Sequence, residues 1–343
     1  MRAGVYRGIR DIVVEEVAEP GLGGGDVIVA VKASGICGSD LHVYLQGGPP
    51  VDPGQVMGHE FAGEVVAVGA GVEGIAVGDR VAGFPVLACG QCRRCREGTR
   101  SLCDNWIGRS IGFGLPGAFA ERVRIPGAVL GENVFALPDA LDFPGGALVE
   151  PLAVGVRAAE QARVVPGQTA VVFGLGAIGI LLAQVLRARG AAVVGVNRSP
   201  LRRAVAEQAG VTVIDGGQDL PARVRAALGG AEADAVFEAS GAPELVQAAI
   251  DTVRPGGTVV MVALYERAAS IVPTLITTKE LTIRGSATYT PGQFAEAIGL
   301  LASGQVTGQS LITKRVPLAD LGRAFEEQLD KAASVKVMIT MDQ

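Results

Sequence analysis

One stretch constrains this chain more than any other. The apolar run TAVVF at 169–173 passes through G-L-G-A-I-G directly into the apolar helix pattern ILLAQVL. Of its glycines, Gly174 permits a tight turn, Gly176 lets backbone approach a pyrophosphate, and Gly179 lets the helix press against the strand. The helix opens at Ala177 and Ile178, where unpaired amides and the positive end of the helix dipole receive a phosphate. A glycine-rich turn on its own is often only a turn. Here, however, strand-like runs follow at VVGV (193–196), VTVID (211–215), AVFEAS (235–240), GTVVMVAL (257–264) and LTIRGSA (281–287), with helix patterns such as SPLRRAVAEQAG between them. That alternation predicts an α/β domain with a doubly wound parallel sheet and a bound dinucleotide. Ser240, closing the AVFEAS run, joins the expected cofactor contacts.

The second strand ends in Asn197-Arg198-Ser199. A cofactor with a free ribose 2′-hydroxyl ordinarily meets an Asp or Glu at this place. Asn197 removes that carboxylate, and Arg198 and Arg202, with Arg203 beside them, offer guanidinium groups that bind a 2′-phosphate bidentately. We therefore expect contacts from Asn197, Arg198, Ser199 and Arg202, and NADP favoured over NAD. The plainer alternative makes these arginines solvated charges on a helix surface.

Residues 1 to about 150 have another character. DVIVAVKASGI, GEVVAVGAGV, GDRVAGF and AFAERVRIP are short β-rich runs broken by glycine and proline, which predicts a mostly β domain. A chain of 343 residues suits two domains. The expected division is 1–151 with 289–343 for the β-rich domain, its tail supplying the helix FAEAIGLLASGQ and the strand SVKVMIT, and 152–288 for the dinucleotide domain. Hydrophobic residues at 49% against 19% charged give a sizeable core, and a net charge of −5 disfavours a nucleic-acid or anionic-membrane surface. No apolar run reaches the roughly 18–20 residues that span a bilayer. The opening MRAGVYRGIRDIVVEEV alternates and carries charge early, so it reads as a strand rather than a signal peptide.

Five cysteines make an odd set, which argues for a reducing, cytoplasmic setting over a disulfide framework. Cys89, Cys92, Cys95 and Cys103 follow the spacing C-x2-C-x2-C-x7-C. Two-residue gaps let a turn deliver successive thiolates to one tetrahedral ion, and four protein ligands close the site, so a structural zinc is expected. An iron–sulfur cluster uses similar gaps, and a disulfide pair is the other alternative. Arg93, Arg94, Arg96 and Arg100 interleave with the cysteines in the manner of a nucleic-acid zinc finger. Loop charges offsetting four thiolates is the simpler reading.

The remaining cysteine, Cys37, lies in G-I-C-G-S-D-L-H, and His59 lies in M-G-H-E-F-A-G. Thiolate and imidazole suit a catalytic zinc, which takes three protein ligands and leaves a fourth position free. For the third ligand, Glu150 in A-L-V-E-P-L-A-V is preferred, with Glu60 beside His59 close behind; Glu60 alternatively steadies the site without touching metal. Singly, Cys37 reads as a small buried hydrophobe and His59 as a core histidine. Their company in this chain is what raises both.

Together G-H-E-F-A-G-E-V-V-A-V-G-A-G-V, C-G-S-D-L-H, the cysteine lobe, A-L-V-E-P-L-A-V and G-L-G-A-I-G resemble, in order and across nearly the whole chain, the zinc-dependent medium-chain alcohol dehydrogenase superfamily. The resemblance is strongest to the polyol and vicinal-diol branch of sorbitol, threonine and 2,3-butanediol dehydrogenases. It implies a groES-like catalytic domain, a Rossmann domain, two zincs per chain and a homodimer or homotetramer. It further implies hydride transfer between a small secondary alcohol, vicinal diol or sugar alcohol and NAD(P), with zinc lowering the pKa of the alcohol it holds. Ser39 then matches the hydroxyl that takes the alcohol proton, His42 the outer relay member, and Glu60 a further group of the catalytic set. Tyr44, Phe119 and Tyr289 match pocket positions. Where sorbitol-type enzymes carry an Arg-Tyr pair this chain has Thr288-Tyr289, which removes a fork of donors for polyol oxygens. Rival readings are a zinc-free quinone reductase, which lacks these ligands, and a non-catalytic, zinc-stabilised nucleotide sensor.

Overall fold

The computed structural model describes residues 1–48 and 51–341, which divide into two units. The first comprises Met1–Glu150, Tyr289–Ala302 and Ile312–Gln343, and the second Pro151–Thr288 with Ser303–Leu311.

In the second unit six strands form one parallel sheet. Their order is Thr212–Ile214, Ala192–Val196, Thr169–Phe173, Ala233–Glu238, Val253–Met261 and Thr282–Gly285. Most of these strands are rich in valine or other β-branched residues, and helices connect them, as parallel pairing demands. Val171, Phe173, Val196, Val236 and Val259 share one core cluster. The helix Ala177–Ala188 buries Gly179 through Leu186, which explains its apolar sequence on nearly every face.

Two details depart from the sequence reading. The AVFEAS run leaves the sheet at Glu238, because that side chain accepts hydrogen bonds from the backbone of Ser240 (2.9 Å) and Gly241 (3.2 Å) and turns the chain outward. Residues 303–311 cluster with the second unit, although the sequence assigned all of 289–343 to the first. Gln184 in the helix Ala177–Ala188 explains it: its amide donates to the Thr307 carbonyl (3.1 Å) and its oxygen accepts from the Thr307 N–H (2.8 Å).

The first unit carries a hairpin, Arg2–Gly8 with Asp11–Glu16, and a seven-stranded mixed sheet. Its spine, Val27–Gly35 against Glu60–Val68, is antiparallel, and Lys336–Thr340 pairs on the other side with Met338 opposite Gly35. This register brings Ile36-Cys37, His59-Glu60 and Lys336 to one end of three adjacent strands. Clusters around Phe119 and Phe325 and around Phe61 and Val65 fill the interior. Among the described residues no helix is long and apolar enough to cross a membrane.

Candidate metal centre and cofactor cradle

Cys37 ends the loop after Val27–Gly35 and begins the helix Gly38–Gln46, where its N–H donates to Asp40 Oδ2 (2.9 Å). The next strand delivers His59 and Glu60 to the same place. Ligand atoms of Cys37, His59 and Glu60 all lie within 4.8 Å of one another. Among the described residues Glu150 is not part of this group, and it accepts instead from the Tyr289 hydroxyl (2.7 Å). Glu60 clusters with the other two because a carboxylate adjacent to His59 shares its strand end, while Glu150 begins a helix.

Around the trio the charges are buried and specific. Asp40 Oδ1 stands 3.4 Å from His59 Nδ1, and Ser39 Oγ stands 3.4 Å from His59 Nε2. Burial opposes a charge on His59, but Asp40 and then Cys37 outweigh it and hold the imidazole well above its ordinary value. Lys336 donates to Glu60 Oε1 (2.7 Å) and to the Ile36 carbonyl (3.0 Å). Although burial opposes its charge, Glu60 and then Cys37 keep the Lys336 ammonium above its usual pKa. Burial pushes the Glu150 carboxyl up to about 7, with Glu60 adding to the rise while His59 and Tyr289 act against it.

These groups fit a cation. Glu60 Oε2 is buried without a hydrogen bond, even though Lys336 lies at ion-pair distance, 2.5 Å, and His59 has Asp40 behind Nδ1 at 3.4 Å. A thiolate, an imidazole and a carboxylate converging with unused acceptor capacity is the donor set zinc takes. A carboxylate behind the histidine is the usual support for such a ligand.

The four-cysteine lobe fits as well. Cys92 begins the short helix Arg93–Arg96, Cys95 sits within it, and Cys103 follows Arg100–Leu102. Sulfur–sulfur distances of 4.0 Å (Cys89 to Cys95) and 3.9 Å (Cys92 to Cys103) approach the ~3.8 Å edge of a tetrahedron with zinc–sulfur bonds of ~2.3 Å. They are far too long for a disulfide, and all the cysteines are free. Backbone N–H groups of Gln91 and Cys92 lower the Cys89 thiol to about 6, whereas burial and then Cys92 push Cys95 up to about 12. Four thiolates so close together need a cation to ionise in concert. Of the four arginines, Arg93, Arg94 and Arg100 have acidic partners in Glu97, Asp104 and Glu132, so these three are charges balanced within the unit.

At the cradle, each glycine has its own cause. Gly174 has φ +91°, and a Cβ there would sit 2.6 Å from Ser240 Cβ. At Gly179 a Cβ would lie 1.9 Å from the Gly174 carbonyl. Gly176 differs, for the nearest atom to a Cβ there is Arg202 Nη1, 3.9 Å away. Nothing in the protein requires that glycine, which fits an incoming ligand. Asn197 Oδ1 accepts from the Ser199 N–H (2.8 Å), and Arg203 is tied to Asp215 (3.0 Å) and to the carbonyls of Asn197 and Arg198. Arg198 is exposed. Arg202 alone combines a buried Nε that has no partner with a place beside Gly176.

His42 lies three residues beyond Ser39 on the helix Gly38–Gln46, hence on the same face. Tyr44 and Phe119 lie in the interior of the first unit. Both are core residues, 3% and 0% exposed, packed on the Phe325 ring at 4.9 and 5.7 Å, and the Tyr44 hydroxyl donates to Glu326 (2.9 Å). Tyr289 is also buried, but it donates to Glu150 and borders a cavity of about 640 Å³ with Phe84, Arg100 and Arg109. Sequence reading missed Asp40, Lys336 and Glu238. Each had a signal: an acid three residues after Cys37, and a lone charge inside the apolar strands VKVMIT and AVFEAS.

Two family models match, the alcohol dehydrogenase GroES-like domain over residues 23–139 and the zinc-binding dehydrogenase over residues 177–303. The (R,R)-butanediol dehydrogenase of Bacillus subtilis (strain 168) is 36% identical, with 99% of each chain covered. Sorbitol dehydrogenase of the same organism is 33% identical, covering 99% of this chain and 97% of its own. Among solved structures, a putative zinc-binding dehydrogenase from Sinorhizobium meliloti 1021 bound to NADP has a TM-score of 0.90 at 32% identity, covering 99% of this chain and 98% of that one. An alcohol dehydrogenase from Escherichia coli CFT073 complexed with NADH has a TM-score of 0.90 at 28% identity, with 99% of each covered. The chain belongs to the zinc-dependent medium-chain alcohol dehydrogenase family, in its polyol and vicinal-diol branch. It is an NAD(P)-linked oxidoreductase with a groES-like and a Rossmann domain, and relatives that are dehydrogenases leave the sensor reading without support.

Proposed function

We propose that this enzyme oxidises a small secondary alcohol, vicinal diol or sugar alcohol, or reduces the matching ketone, with NADP preferred over NAD. The convergence of Cys37, His59 and Glu60 beside Ser39 carries the reading. These three residues hold the catalytic zinc, with Nε2 as the histidine's ligand atom because Asp40 stands behind Nδ1. Zinc, when bound, supplies the Lewis acid that makes an alcohol proton easier to lose. Ser39 accepts that proton at Oγ, and His42, one helical turn on, passes it outward. Glu150 and Tyr289 form a buried hydrogen-bonded pair that lends the site its wall. Cys89, Cys92, Cys95 and Cys103 hold a second, structural zinc.

On the cofactor side the amides at Ala177 and Ile178 hold the pyrophosphate, with Gly176 giving access and Ser240 backing Gly174. Relatives of this fold carry either cofactor, so local residues decide. Asn197 supplies no charge to repel a 2′-phosphate, and Arg202 has donors to spare. Arg202→Ala should therefore raise KM for NADP about 10–100-fold, the loss of a charge-assisted hydrogen bond, and change KM for NAD less than about threefold. Equal effects on both, or better kcat/KM with NAD in the unsubstituted enzyme, would refute NADP preference. A panel of diols, sugar alcohols and secondary alcohols tests the substrate class; activity confined to primary alcohols would overturn it.

We also propose a cytoplasmic homo-oligomer. Five free thiols suit a reducing compartment. Strand Thr282–Gly285 is the sheet's edge, and Leu264, Val272 and Ile283 expose apolar surface there or in the connections before it (67, 51 and 42%). Unpaired edge groups beside apolar residues invite a second copy. Light scattering should give at least twice the mass of 35.0 kDa; a monomer at micromolar concentration would end the idea.

A further inference from the structure

We infer that Glu238 is a positioning residue whose buried charge biases the cradle toward the oxidised cofactor. The inference rests on the dinucleotide reading above. In the parallel sheet the strand order reverses at the pair Thr169–Phe173 and Ala233–Glu238, with Phe173 opposite Glu238. Ligands of such sheets bind outside the carboxyl ends at this switch point. The adenosine half is read at the end of Ala192–Val196, on one side of Thr169–Phe173. The nicotinamide half of a bound dinucleotide would then extend to the other side, toward the end of Ala233–Glu238.

Glu238 is 0% exposed, and each of its carboxylate oxygens accepts a backbone N–H. Oε1 takes the Ser240 N–H (2.9 Å) and the Ser240 hydroxyl, while Oε2 takes the Gly241 N–H (3.2 Å) and the Tyr265 hydroxyl. Four donors aimed at two oxygens describe an ionised, acceptor-only carboxylate. No ion pair to it occurs among the described residues, so dipoles alone hold the charge. A buried charge is costly, and a neutral residue would fill the space at less cost.

Its contacts define what it governs. Through Ser240 and Gly241 it fixes the loop against Gly174, and through Tyr265 it fixes the segment after Val253–Met261. The Glu238 carbonyl adds bonds from the N–H groups of Val262 (2.8 Å) and Ala263 (3.2 Å). An oxidised nicotinamide ring is positive and a reduced one neutral. A fixed negative charge about 10 Å from a bound ring would, at the effective dielectric of protein, favour the oxidised form on the order of tenfold.

Fluorescence titration and calorimetry on the whole enzyme give Kd for NADP+ and NADPH. In Glu238→Gln the ratio of Kd (oxidised) to Kd (reduced) should rise about tenfold. Loosening of the loop without a charge effect would weaken both forms equally, and that outcome overturns the inference, as does no change. Tyr265→Phe keeps the charge and removes one donor, so the ratio should stay at or below the unsubstituted value even if Glu238→Gln fails to fold. A rise in Tyr265→Phe would also overturn it. An unsubstituted enzyme that binds neither form would instead sink the dinucleotide reading, which keeps the two failures apart.

Discussion

Replacing Cys37 with alanine should lower kcat/KM by at least ~10³-fold and reduce zinc content from about two to about one per chain. Loss of a group that merely supports a metal ligand costs about 10–100-fold, and loss of a ligand must cost more. The thiol is half-buried, and its partner in the fold, Asp40, is held by the Cys37 backbone N–H, which alanine retains. The fold should therefore survive, and circular dichroism and unfolding midpoint should match the parent. The residual zinc belongs to the lobe, where Cys89, Cys92, Cys95 and Cys103 form a closed set. Retained turnover, or loss of both metals together, would contradict the assignment of two independent centres.

A second large effect is expected on stability. Lys336 and Glu60 are 3% and 0% exposed and joined at 2.7 Å. Removing one partner of a buried ion pair strands the other charge, at about 3–5 kcal/mol. Lys336→Met should lower stability by that amount in urea unfolding of protein stripped of its catalytic zinc. With zinc bound the loss should shrink, because the metal takes over as the counter-charge to Glu60. The pair variant Glu60→Gln with Lys336→Met should recover most of the loss, since no buried charge is then left alone. An unchanged midpoint in Lys336→Met would mean that water reaches Glu60.

Local sequence carried much of the fold and half of the site. Gly174, by its positive φ, and Gly179, by its contact with the Gly174 carbonyl, are set within a single turn and its helix, so their spacing is visible directly. The lobe is equally local, with four ligands inside fifteen residues. Alternation of β-branched runs and helix patterns exposed the parallel sheet, because each element must bury one face. By contrast, AVFEAS runs two residues past the end of the strand Ala233–Glu238, since hydrogen bonds from the Ser240 and Gly241 backbone to the Glu238 side chain end it and no periodicity records them. Tyr44 and Phe119 were legible only as pocket positions, and their packing against Phe325, more than 200 residues away, is a tertiary contact that no local pattern records.

By itself, then, the sequence determined the cradle, the cysteine lobe and the pairing of a lone cysteine with a histidine as ligands in search of a third. Only tertiary structure separates the two candidate carboxylates. Glu60 and Glu150 are chemically alike, and only the register of three strands brings one beside Cys37 while Tyr289 engages the other. It also singled out Arg202 among neighbouring arginines, since Arg203 already meets Asp215. Lys336, 276 residues from its partner Glu60, enters for the same reason. Burial and charge pairing depend on which distant residues share a space, and that is fixed by packing.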